Sequence, residues 1–90
     1  MHAAIVTVSI DPTQADRAEK ALREEVIPMV SAAPGFVAGY WLEAAEGQAT
    51  SLVLFDTEQQ ARRAAPPVGA SPTPGVTVTG VRFQLVTASA

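Results

Sequence analysis

The chain has one histidine, His2, no cysteine and nine carboxylates. Thiol catalysis, disulfides and Cys-ligated zinc are therefore excluded. The carboxylates show no metal-ligand spacing, and a lone histidine beside the first residue reads as solvated rather than as a ligand. Glu24 and Glu25 are sequence neighbours, which do not face each other on a helix, so they form no converging acid/base pair. What remains is aromatic chemistry. A site that holds an electron-rich ring needs flat side chains to stack it and a polar group to stabilise a developing anion. Trp41 and Tyr40 are the candidates for that lining, with Phe55 beside them and Arg82 as the candidate anion partner. The plainer reading of the same residues makes Trp41 interface core and Arg82 a strand-edge charge.

Four strands and two helices must position these groups. Residues 3–10 are β-branched and alternate, with Ala4, Val6, Val8 and Ile10 on one side and Ile5, Thr7 and Ser9 on the other. Asp11-Pro12 ends that strand and starts a helix: Asp11 can accept from orphan N–H groups, Pro12 fits the first turn, and Gln14 stands where a capping partner would. Ala15, Ala18, Leu22, Val26 and Met29 recur at helical steps. Pro28 predicts a kink or end near residue 27, and Pro34-Gly35 stops the helix. Residues 36–43 read as a second strand and 49–55 as a third, joined by the loop Glu43–Gln48. Thr57 with Gln60 predicts a capped second helix that Pro66-Pro67 cuts short. Residues 66–75 read as a mobile loop. Residues 76–87 form a last strand in which Gly80 predicts a bulge. Arg62 and Arg63 fall on the wet side of the second helix.

The order βαββαβ predicts an α+β, ferredoxin-like domain spanning 1–90, with a four-stranded antiparallel sheet and both helices on one face. Such a sheet is normally polar where it meets water, yet both faces here are apolar. By strand parity, one side carries Val6, Val8, Ile10, Phe36, Tyr40, Leu52 and Leu54. The other carries Ile5, Val37, Trp41, Val53 and Phe55, with Val81, Phe83 and Leu85 open to either. A bare face of roughly 300–400 Å² is near the upper range for a monomer. Each large side chain left wet forgoes about 1.5–3 kcal/mol. A second copy is the simplest cover, because a two-fold axis uses one patch twice. Ile5, Val37, Trp41, Val53 and Phe83 are the interface candidates.

Composition narrows the partners. A net charge of −3 and a pI near 4.9 argue against nucleic acid and anionic membrane surfaces. RNA-binding sheets of the same order need aromatics at set positions and a basic surround, which this chain lacks. No apolar run is long enough to span a membrane, and no basic-then-apolar leader opens the chain. These features predict a cytoplasmic protein, and the scarcity of lysine beside alanine and arginine points to a high-GC bacterial source.

Ile27-Pro28, Pro34-Gly35-Phe36-Val37 followed by Tyr40-Trp41, and Leu54-Phe55-Asp56-Thr57-Glu58 before an Ala-rich helix together resemble the dimeric α/β-barrel superfamily. The likeness is to its antibiotic-biosynthesis-monooxygenase-like branch and spans nearly the whole chain. It implies a homodimer whose two sheets form a barrel. It also implies either cofactor-independent oxidation of a small aromatic or apolar ligand bound inside that barrel, or a non-catalytic dimeric module with the barrel packed solid. Haem-degrading relatives use a histidine on the second helix. Residues 57–65 here contain none, so the expected cofactor is none.

Overall fold

A computed structural model describes residues 1–90. β1 (His2–Ile10) runs down the middle of one antiparallel sheet, with β3 (Gln48–Phe55) on one side and β4 (Val76–Leu85) on the other. β2 (Phe36–Trp41) pairs with β3, giving the spatial order β2-β3-β1-β4. This is the ferredoxin-like α+β arrangement. The hairpin between β2 and β3 closes on Glu46 (φ 55°) and Gly47 (φ 75°). Two successive positive φ values give the turn whose twist matches the flanking strands.

The first helical segment is built in pieces. Asp11 accepts from the Thr13 backbone N–H (2.9 Å) and the Thr13 hydroxyl (2.8 Å), capping a 3₁₀ turn over Pro12–Gln14. These two hydrogen bonds hold its carboxyl below the usual 3.8. The stability they lend is therefore present above that value and lost as pH falls through the lower folded one. An acid titration followed by far-UV circular dichroism should show early helix loss below pH 3.8 that is absent in Asp11→Asn. α1 (Ala15–Ala21) then passes into a π-helical turn, Leu22–Val26, before α2 (Ile27–Ser31). Pro28 has no N–H to donate back to Glu24, and the ladder slips by one residue immediately before it. The kink expected near residue 27 takes this form, and the helix continues beyond it. α3 (Glu58–Ala64) opens on the reciprocal Thr57–Gln60 cap, each bond 3.2 Å.

Cross-strand register fixes the two faces. Under the helices, Trp41, Ser51, Val6 and Val81 form one row; Gly39, Val53, Ala4 and Phe83 form the next. Phe36, Phe55, His2 and Leu85 form a third. On the open face, Tyr40, Leu52, Ile5 and Arg82 form one row, and Ala38, Leu54, Ala3 and Gln84 another. The parity grouping expected from sequence is thus corrected: Trp41, Val53 and Phe55 share a side with Val6, and Leu52 and Leu54 share the other with Ile5. Alternation within a strand does not set its phase against a neighbour, and a bulge between Phe36 and Ala38 puts Phe36 on the helix side with Trp41. The bulge expected at Gly80 is present, where the register against β1 shifts between Thr7 and Val8.

The core is small. Phe55 (1% exposed), Ala4, Val53 and Ala61 form its centre, with Phe36, Trp41 and Phe83 packed around it. Phe36 meets Phe55 edge-on, ring centres 6.3 Å apart. Arg62, expected to face water, lies over the Phe83 ring at 4.4 Å while also bonding Glu58. The loop over residues 66–75, expected to be free, is tied to β4: Gly69 N–H donates to the Val78 carbonyl and Val78 N–H to the Ala70 carbonyl, both 2.8 Å. That covering leaves Val78 1% exposed. His2 is not a loose end, since it pairs within β1 and its Nδ1 is buried without a partner.

The chain exposes 5808 Å², whereas a folded monomer of 9.3 kDa exposes about 5000 Å². An excess of about 800 Å² marks surface that a self-sufficient domain would have buried. The open face of the sheet, where Tyr40, Leu52, Ile5 and Leu54 lie beside Arg82 and Gln84, is one such surface, and a cleft under the first helix is another.

Candidate ligand-binding site

α3 and α2 do the packing on the sheet, while α1 and the π turn stand away from it. The gap is a cavity of about 940 Å³ between the sheet floor and the first helix. Its floor is apolar: Ala4, Val6, Val8, Val53, Val78 and the rings of Trp41 and Phe55. Leu22, Val26 and Met29 form the roof, so the π turn is what hangs over the space. A dry core would pull these groups together. Here Met29 remains 66% exposed.

Trp41 is held by an absence. A side chain at Gly39 would place its Cβ 2.5 Å from the Trp41 ring, so the bare Gly39 backbone is the seat on which the indole lies. Gly39→Ala should tilt the ring and cost about 1–3 kcal/mol through overpacking. The check is Trp41 emission, which will shift to longer wavelength as the ring leaves its seat, together with a lower unfolding midpoint.

Polar groups are few on the inner walls. Ser51 sits on the floor, in register with Trp41 and Val6, and its hydroxyl makes no hydrogen bond in the chain. Thr73, 5% exposed on the loop wall, uses its carbonyl for Val76 N–H and the Ser71 hydroxyl while its own hydroxyl is unpaired. The rim carries Asp16, Glu19, Glu43 and Arg23. Arg23 is committed to Glu19 at 3.3 Å, leaving Asp16 and Glu43 without a cationic partner.

The site residues expected from sequence are divided by the sheet. Trp41 and Phe55 line this cavity together. Tyr40 (56% exposed) and Arg82 lie on the opposite face and do not reach it. Among the interface candidates, Ile5 is on the open face and Val37 is exposed at the β2 bulge. Trp41, Val53 and Phe83 are under the helices. Ser51 and Thr73 were not singled out by sequence, because an isolated hydroxyl among apolar residues carries no pattern.

The order of strands and the two-helix layer on one face define a ferredoxin-like α+β architecture. A solved structure with the same fold is that of a mutant of MhuD with two manganese protoporphyrin IX molecules bound per active site. It superposes with a TM-score of 0.70 over 100% of this chain and 98% of that one, at 15% identity. No family model matches the sequence, and no curated protein does. No helix is long and apolar enough to cross a membrane.

Proposed function

We propose that this is a homodimeric, cytoplasmic ligand-binding protein of the monooxygenase-like fold, taking a flat aromatic molecule into the cavity under its first helix. The observation that carries this reading is the cavity itself. Its volume of about 940 Å³ lies within the 300–1,000 Å³ range of small-molecule sites, and its walls are apolar with a few polar groups. Trp41 would stack the ring, while Ser51 and Thr73 would hydrogen-bond its substituents. The second copy belongs on the open face, where Tyr40, Leu52, Ile5 and Leu54 form an apolar field bordered on β4 by Arg82 and Gln84. The expected barrel then lies between the two sheets, and the ligand outside it, on the helix side.

A porphyrin does not fit these residues, although the volume would hold one. Haem iron is held by His, Cys, Met or Tyr. The cavity walls offer only the Met29 thioether, and α3 turns Ala64 and Ala65 toward the space. The two propionates would meet Asp16, Glu19 and Glu43 against the single, already paired Arg23. Any oxidation here would act on the aromatic directly, with dissolved oxygen as the oxidant.

Titration with 1,4-dihydroxynaphthalene and anthrone tests the reading, since the chain has one tryptophan and it lines the cavity. Saturable quenching of Trp41 emission is expected. Ser51→Ala and Thr73→Val should each weaken binding about three- to tenfold, the worth of one hydrogen bond. Oxygen uptake on adding the same compounds, abolished by Trp41→Ala, would make the protein an enzyme as well. Quenching that never saturates, or that ignores both hydroxyl variants, would remove the site.

A further inference from the structure

The walls of the cavity also state the charge of what they hold. Asp16, Glu19 and Glu43 line it against Arg23 alone, and Arg23 is bonded to Glu19. Two solvent-exposed carboxylates, Asp16 and Glu43, are therefore without an ion-pair partner at its rim. Arg17 and Lys20 lie on the same helix but outside the cavity wall. Trp41, whose ring face attracts cations more strongly than any other side chain, is among the lining residues. Thr73, 5% exposed with an unpaired hydroxyl, adds a hydrogen-bond acceptor on the loop wall.

We infer that the ligand is a cationic aromatic: a fused ring bearing a protonated amine or comparable positive group, its ring against Trp41 and its charge toward Asp16 and Glu43. This rests on the ligand-binding reading above and narrows it. The same two carboxylates disfavour an aromatic carboxylate, sulfonate or phosphate of the same shape. Arg82, the one cation that sequence offered for an anionic substrate, is on the other face of the sheet.

Three probes of one shape separate the possibilities: 9-aminoacridine, a cation at neutral pH; acridine, neutral; and acridine-9-carboxylate, an anion. Each is titrated against the full chain at low salt, with Trp41 emission as the readout. The cation should bind about tenfold tighter than acridine, with the carboxylate weakest, and the spread should narrow as salt is raised. In Asp16→Asn/Glu43→Gln the cation's advantage should fall to about twofold, with acridine itself unchanged. Glu46→Gln, outside the cavity wall, should keep the full preference. A carboxylate that binds as tightly as the aminoacridine overturns the charge assignment and leaves the cavity standing. So does a preference that Glu46→Gln reduces as much as the double variant. Failure of all three probes to quench Trp41 removes the site and this inference together.

Discussion

Phe55→Ala will cost about 3–5 kcal/mol of stability, out of a total of about 5–15 kcal/mol for a domain of this kind. Phe55 is 1% exposed and touches both halves of the core: the edge of Phe36 on one side, and Ala61 of α3 with Ala4 and Val53 on the other. Its neighbours are fixed on the sheet strands and on α3, so they can close only part of the vacancy. The unfolding midpoint should drop by about 15 °C or more. Phe55→Leu should lose much less, since most of the buried volume stays. A Phe55→Ala protein within about 1 kcal/mol of the parent would mean that this ring is not the keystone its burial implies.

Leu52→Glu will have the second large effect, through assembly rather than the core. Leu52 lies between Tyr40 and Ile5 on the open face, and a two-fold axis would bring its charge in twice. A carboxylate carried into an apolar interface costs several kcal/mol, part of which Arg82 of the same row would offset, so the dimer constant should weaken about tenfold or more. Val68→Glu is the control, because Val68 is 63% exposed on the loop and its charge meets only water. Sedimentation at a series of concentrations should show the Leu52 variant dissociating while the Val68 variant keeps the parent's mass. Equal masses for all three would exclude this face as the contact.

Much of the fold was legible because local chemistry dictated it. The Thr57–Gln60 cap, the hairpin loop over Glu43–Gln48, the bulge at Gly80 and the break before Pro28 each follow from what a few residues can do with their backbone. The facing of the strands was not legible. A two-residue period names the partners within a strand, but β1 could be phased either way against β3, and the bulge at Phe36 shifts the start of β2 by one residue. The division of the site residues follows from that gap. Trp41 and Phe55 stand out in the sequence as aromatics, but only the register puts them under the helices and not on the open face. The cavity had no sequence signal at all, since it lies where α1 and the π turn stand away from the sheet.

The same shortage of core links both faces. Only 9 of 90 residues are buried, and a domain that leaves a cavity of about 940 Å³ under its first helix must find its missing burial elsewhere. The open sheet face is where a twin subunit would supply it, and the helix side could then stay hollow for a ligand. Sedimentation equilibrium of the unaltered protein at low micromolar concentration tests this most directly. A particle of two chains is predicted. A stable, folded single chain at that dilution, with Tyr40, Leu52 and Ile5 open to water, would contradict it.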